Sequence, residues 1–140
     1  MAPGENNLRT LLATMHPTLD PTTYIFLTTT QPLSSLPLAA LQPQLIAHEA
    51  EGTTIVTTEA LATAHGFTEP VFACQKISLT VHSSLEAIGL IATITNRLKD
   101  YGISTNVVSG FFHDHLYVPV ARAEDAMRAL GELTSEARGV

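Results

Sequence analysis

The strongest constraint on the fold of this chain is a repeated order of predicted elements, since each half reads strand, helix, strand, strand, helix. The order is clearest in the second half, where Ile77, Leu79 and Val81 alternate with polar residues as in a half-buried strand. After this strand come a helix, two strands and a second helix, over "SSLEAIGLIATITNRLKDYG", "ISTNVVS", "LYVPV" and "AEDAMRALGEL". Such self-similarity predicts a duplicated βαββα unit.

The first half repeats the order with weaker signals. Its strands are predicted over "YIFLTT", "PQLIAHE" and "TTIVT", and its second helix over "TEALATAHG", which Gly66 closes. The segment "LSSLPLAAL" is a poor helix, because Pro37 interrupts it. Ahead of the repeat, an amphipathic helix from Leu8 to Met15 is predicted to end near Pro17.

The repeat predicts an α+β fold of two modules in tandem, with the first over residues 1–70, including the N-terminal helix, and the second over 71–140. Strand-helix-strand connections favour parallel crossovers, and the short turns favour antiparallel hairpins. Each module is then a ferredoxin-like βαββα(β) sheet with its helices on one face. That fold needs a fourth strand, which "PVFACQ" could supply for the first module and nothing after Leu133 for the second. We therefore expect shared or exchanged edge strands, or an edge that pairs in a homodimer.

The first helix of the second module carries signals for both of its ends. Ser83 and Glu86 form a capping box, which predicts a helix that begins near Ser84. Gly102 is placed to end it in a left-handed conformation. The apolar face of this helix is predicted to consist of Ile88, Ile91, Ile94, Leu98 and Tyr101.

Charge and composition exclude several classes of partner. The net charge of −6 disfavours nucleic acid and anionic membranes, which are bound through clustered cations. The single cysteine, Cys74, allows no internal disulfide and no Cys-rich zinc site, and a buried apolar role is expected for it. No apolar run approaches the ~20 residues of a membrane span, so we expect a soluble, cytoplasmic protein.

The stretch "SGFFHDHLYV" allows three interpretations: a structural hairpin, a set of ligand contacts, or a metal site. His113 and His115 would face the same side of an extended chain, and His82 could be a third metal ligand, with Glu86 a further candidate. The stretch occupies the position of "HEAEGTT" in the first half, which favours the hairpin. No nucleophile elbow, phosphate loop or dinucleotide fingerprint occurs, so we expect no cofactor and no enzyme activity.

The motifs "VHSSLEAIGL", "NVVSG" and "HDHL" resemble those of the ACT domain, a small-molecule regulatory module of amino-acid metabolism. The likeness is to small stand-alone tandem-ACT proteins related to the ACT pair of aspartokinases, and it runs from Leu8 to Leu133. The resemblance implies that a ligand binds at the loop after the first strand and at the second strand. The residues so implied are His82, Ser83, Ser84, Leu85, Glu86, Ala87, Ile88, Gly89, Asn106, Val107 and Val108.

The chemistry of these residues suits an amino acid, although each also has a structural explanation. A helix N-terminus with Ser83 and Ser84 could bind a carboxylate, and Glu86 could pair with an ammonium group. Capping alone also explains Ser83 and Glu86, and the Asn106 amide could be structural. Gly89 within a helix is better explained by close packing than by ligand contact. Where the typical ACT loop reads Asp-x-Pro-Gly, this chain has "SSLE", which leaves the ligand's identity open.

The sequence thus predicts a non-catalytic, homodimeric sensor or regulator that holds an amino acid or related metabolite between ACT modules. One alternative is a metal-dependent enzyme that uses His82, His113 and His115. Another is a protein-interaction module without a small ligand.

Overall fold

The computed structural model describes residues 7–69, 71–80 and 87–140, and the chain divides into two compact units. One, which we call the contiguous unit, is Thr22–Cys74. The other, the split unit, combines the segment up to Pro21 with Gln75–Val140. The boundary between the two modules that the sequence analysis placed between residues 70 and 71 stays a prediction.

The secondary structure is the mixture of helices and strands that the sequence predicts. The helices are α1 (Leu8–Thr14), α2 (Leu38–Leu41), α3 (Glu59–Ala64), α4 (Leu90–Asp100) and α5 (Ala123–Arg138), with 3₁₀ turns at Leu33–Ser35 and Val120–Arg122. The strands are β1 (Pro17–Leu19), β2 (Tyr24–Thr29), β3 (Leu45–Glu49), β4 (Gly52–Thr58), β5 (Val71–Leu79), β6 (Asn106–Ser109) and β7 (Asp114–Pro119). No helix in the described part of the chain is long and apolar enough to cross a membrane.

The contiguous unit has the strand order β3-β4-β2-β5, which is the order of a ferredoxin-like βαββαβ unit. Its fourth strand is the first half of β5, where Tyr24 pairs with Cys74 and Phe26 with Val71. This confirms the strand predicted over "PVFACQ". The core of the unit consists of Ile25, Leu27, Leu36, Ile55 and Ala62.

The split unit has the order β1-β5-β7-β6 and obtains its fourth strand from the start of the chain. β1 pairs antiparallel with the second half of β5, with Pro17 opposite Leu79 and Leu19 opposite Ile77. Each unit therefore uses one half of β5, which fits the expectation of a shared strand. The sequence reading missed β1, and it also treated β5 as two separate strands.

The core of the split unit lies between one face of its strands and the helices α1, α4 and α5. Ile77 and Leu79 of β5 and Leu116 and Val118 of β7 supply the strand side of this core. The N-terminal helix, which the sequence reading grouped with the first module, packs against α5 in this unit. Both units thus show helices on one strand face, and the predicted α+β class of two ferredoxin-like modules is confirmed.

The predicted start of α4 near Ser84 is wrong, because the helix begins at Leu90. Gly89 stands at its N-cap with a left-handed φ of 93°, a conformation that glycine adopts without steric cost. Ile88, predicted on the buried face, is 87% exposed. Both capping-box residues, Ser83 and Glu86, lie outside the described residues.

The predicted end of α4 is confirmed, and so is the reason for it. The helix stops at Asp100, and Gly102 follows with a φ of 70°. Its amide donates to the carbonyl of Lys99, and the Ile103 amide donates to that of Leu98. These bonds satisfy carbonyl groups that the end of a helix leaves unpaired.

Alanine at Gly89 and at Gly131 will change stability in opposite directions. An alanine at position 89 would have to keep the left-handed φ, and its Cβ would lie 3.4 Å from the Leu8 Cδ2 atom. Gly89→Ala should therefore lower the free energy of unfolding by about 1–2 kcal/mol. Gly131 lies inside α5 and has open space where a Cβ would stand. Gly131→Ala should therefore raise the free energy of unfolding by up to about 1 kcal/mol. Urea denaturation of both variants measures the difference, and equal effects would contradict this assignment of the two glycines.

Candidate ligand-binding site

One strand face of the split unit carries a group of polar side chains, of which the sequence had singled out His115. Because side chains alternate along a strand, Lys76, Ser78 and His115 lie opposite the core residues and away from the helices. We call this the helix-free face. The Ser78 Oγ and the His115 Nδ1 lie 2.8 Å apart, a hydrogen bond that joins β5 to β7.

The pKa of His115 is lowered from its ordinary value, and burial of the half-exposed ring is the main cause. The positive charges of Lys76 and His113 lower it further, while the carboxylate of Asp114 acts in the opposite direction. His115 is therefore mainly neutral at neutral pH and can serve as both a donor and an acceptor.

The "FFHDH" stretch forms the predicted hairpin between β6 and β7. Ser109 pairs with Asp114, Val108 pairs with His115, and the Gly110 amide donates to the carbonyl of His113 at 2.9 Å. Within residues 7–69, 71–80 and 87–140 no group of three or more His, Cys, Asp or Glu side chains could hold a metal ion. His82 lies outside these residues, so the metal hypothesis that includes it stays a prediction.

The structure places only some of the predicted ligand-binding residues. His82, Ser83, Ser84, Leu85 and Glu86 lie outside the described residues. Ala87, Ile88 and Gly89 form the non-helical approach to α4.

The predicted residues of β6 divide between two faces. Asn106 is opposite Tyr117 and Val108 opposite His115, which places both on the helix-free face. Val107 is opposite Leu116 and packs against the core. Asn106 and Val108 therefore stand beside the Ser78–His115 pair, whereas Val107 faces away from it.

The contiguous unit has a pocket beside its β3–β4 turn, which is the equivalent in the repeat of the β6–β7 hairpin. The ligand-binding residues predicted from the sequence did not include this pocket. The volume of the pocket is about 290 Å³. It is lined by Thr29–Leu33, after the first strand of the unit, and by His48–Thr53, around the β3–β4 turn. The Thr54 hydroxyl donates to the Glu49 carboxylate, and Thr53 Oγ1 lies 3.4 Å from His48 Nδ1. The equivalence of "HEAEGTT" with "SGFFHDH" in the repeat was the signal that could have located this pocket.

Cys74 is not a candidate nucleophile. Its side chain is fully buried, as predicted, and its Sγ donates to the Tyr24 carbonyl at 3.4 Å. Burial raises the pKa of this thiol to about 12, so the reactive thiolate is scarce at neutral pH.

Two family models described as ACT domains match the chain, one over residues 3–75 and the other over residues 73–132. Together they span nearly the whole sequence. No curated protein matches the chain in sequence.

Several solved structures have the same fold. A Vibrio cholerae protein of unknown function, described as a possible transport protein, is 38% identical, with a TM-score of 0.80 over 91% of this chain and 95% of that one. An Agrobacterium tumefaciens protein is 17% identical, with a TM-score of 0.69 over 86% of this chain and 89% of that one. The ligand-free regulatory subunit of aspartate kinase from Thermus thermophilus is 14% identical, with a TM-score of 0.64 over 87% and 97%.

Proposed function

Because the chain belongs to the ACT-domain family and carries two such domains in tandem, we propose that it is a non-catalytic, cytoplasmic regulatory protein that binds an amino acid or a closely related metabolite. The observation that carries the proposal is the pair of ACT domains, since ACT domains as a class bind small ligands. The shared fold of the aspartate kinase regulatory subunit agrees with a regulatory role.

The pocket of the contiguous unit offers chemistry that suits an amino acid. Glu51 is an exposed carboxylate in its lining and could pair with an α-ammonium group, as could Glu49. The hydroxyls of Thr29 and Thr30 and the amide of Gln31 can donate to an α-carboxylate. One small pocket thus presents partners for both ends of an amino acid.

The proposed mechanism is a shift between two arrangements of the protein, and it includes self-association. A ligand that binds one arrangement more tightly populates it, by no more than its differential affinity for the two. In our proposal the responding assembly is a homodimer, because the β3 and β6 strands end the strand order of the two units and can pair with another chain.

A thermal-shift screen of the twenty amino acids tests the proposal. An amino acid at 100 times its dissociation constant should stabilise the protein by about 2.7 kcal/mol, which raises the melting temperature by about 10 °C. The mass in solution, measured by light scattering with and without that amino acid, should show a dimer whose population the ligand changes.

Glu51→Gln and Glu59→Gln form a matched pair for this screen. Both remove one exposed carboxylate from the contiguous unit, but Glu59 lies in the first turn of α3 and does not line the pocket. Glu51→Gln should reduce the ligand's stabilising effect, and Glu59→Gln should leave it unchanged. If no amino acid raises the melting temperature at millimolar concentration, the proposed function is wrong.

A further inference from the structure

The helix-free face of the split unit combines four groups that can each donate a hydrogen bond to an anion. Lys76 and Ser78 are two residues apart on β5, so their side chains leave the strand on the same side. The hydrogen bond from Ser78 to His115 brings the neighbouring strand's imidazole to the same place. Asn106, whose amide can donate as well, lies on this face through its pairing with Tyr117.

The hydrogen bond between Ser78 and His115 gives the pair two states with different donors. In the neutral imidazole one nitrogen donates and the other accepts, so the pair can hold a single proton between Oγ and Nδ1. When His115 is protonated, Nδ1–H must donate to the Ser78 Oγ. The Ser78 hydroxyl and the His115 Nε2–H are then both directed to other acceptors. Protonation therefore turns the pair into a two-donor site for an anion.

The second ring nitrogen of His115 lies next to a glycine. Gly110 lies there without a side chain, and a Cβ at this position would come within 3.9 Å of Nε2. The same Cβ would approach the His113 carbonyl oxygen to 3.2 Å. Any larger residue at position 110 would thus crowd the Nε2 side of the ring, which the glycine does not.

Charge on this face opposes the protonation of His115 in the free protein. Lys76 and His113 both act on the ring as positive neighbours, and burial has the same effect. Asp114 acts against them, but it lies on the opposite side of β7 and is buried there. An anion that binds among Lys76, Ser78 and His115 would add a negative charge beside the ring and would favour the imidazolium ion.

We propose that Lys76, Ser78 and the protonated form of His115 together bind the carboxylate group of a small ligand on the helix-free face. This inference rests on the proposed function and names the group of the ligand that the split unit recognises. Binding takes up one proton at His115. Affinity is therefore complete below the pKa of the free protein's His115 and is lost as the pH rises towards the pKa of the complex. Between those two values it falls about tenfold per pH unit.

Histidine NMR tests the proposal on the full chain in a buffer that contains EDTA. The probe is sodium L-lactate, whose carboxylate stays ionised through the titration, and sodium chloride at equal ionic strength is its control. Lactate should raise the pKa of His115 by about one unit, which corresponds to about tenfold tighter binding by the protonated protein. Sodium sulfate as a second probe tests selectivity: an equal shift with sulfate or with chloride would overturn the assignment to a carboxylate.

Lys76→Gln and Lys99→Gln are matched variants, since each removes one lysine charge. Lys99 lies on α4, where its Nζ is 3.9 Å from the Asp100 Oδ1. Lys76→Gln should raise the pKa of His115 in the free protein and abolish most of the lactate effect, whereas Lys99→Gln should preserve both wild-type values. A lactate effect that survives Lys76→Gln and Ser78→Ala would overturn the proposed site.

The result also separates this inference from the proposed function. If an amino acid stabilises the protein in the thermal screen but neither it nor lactate shifts the pKa of His115, the function stands and the site is wrong. If no amino acid stabilises the protein and no probe shifts His115, both are wrong.

Discussion

A chain that begins at Asp20, and so lacks α1 and β1, will lose the cooperative unfolding transition of the split unit. The truncation removes Leu11, Leu12 and Met15, which are almost fully buried in the core of that unit. Each such side chain contributes about 1.5–3 kcal/mol on burial, so their sum is comparable with the 5–15 kcal/mol that stabilises a typical domain. The truncation also removes β1 and uncovers the edge of β5, from Ile77 to Leu79, along which β1 pairs.

The measurement is amide NMR together with thermal unfolding, for the truncated and the full chain. Residues of α4, α5 and β7 should lose their dispersed signals in the truncated protein. A chain that ends at Arg138 is the control, because it removes only Gly139 and Val140, which are exposed. If the chain from Asp20 keeps the dispersed signals of α5, the role assigned to α1 and β1 is wrong.

Ile94→Ala will lower the free energy of unfolding by about 2–5 kcal/mol, the range for large-to-alanine changes in a packed core. Ile94 is fully buried in the middle of α4, in the cluster that also contains Leu98 and Leu130. The lost methyl and methylene groups leave a cavity that the strands and α5 can only partly fill. Urea denaturation followed by circular dichroism gives the value.

Ile88→Ala is the matched control, because the substitution is identical and the residue stands just before the same helix. Its side chain is exposed, so the free energy of unfolding should change by no more than about 0.5 kcal/mol. The apolar periodicity alone would have given both isoleucines the same cost. A cost of more than about 2 kcal/mol at Ile88 would therefore favour the helix start near Ser84 that the structure contradicts.

The elements that the sequence predicted correctly have local causes. Gly102 ends α4 because it can adopt a left-handed φ, and Gly66 follows α3 with a φ of 85° for the same reason. The β6–β7 hairpin follows from two apolar segments separated by a short turn. In each case the residues that decide the structure lie within a few positions of one another.

The strand that the sequence missed has a distant cause. β1 is the short segment "PTL", and its strand conformation comes from the backbone of β5, about sixty residues further along the chain. The late start of α4 reflects the left-handed φ of Gly89, which interrupts a periodicity that otherwise continues to Ile88. The pairing of β1 is not visible in a window of neighbouring residues, whereas the cause of the late helix start is local and was missed because apolar periodicity does not report φ.

The candidate site shows the same division between local and distant causes. The alternation of side chains along β6 was enough to separate Val107 from Asn106 and Val108, although the family resemblance grouped all three. The contact between Ser78 and His115 depends on how β5 and β7 lie side by side, which the sequence does not specify. The ligand-binding roles of the predicted residues stay predictions.

The position of α1 at the start of the chain has a consequence for synthesis on the ribosome. The contiguous unit consists of consecutive residues, so it can fold once Cys74 has left the exit tunnel. The helix α1 leaves the tunnel before that unit, but its partner α5 leaves only after it. In the folded protein the Arg9 Nε donates to the Ala137 carbonyl and the Arg138 Nε donates to the Ala13 carbonyl, which joins the two helices. Throughout that interval the apolar side of α1 lacks the helix that covers it in the folded protein, and it is then open to the non-native contacts that chaperones prevent.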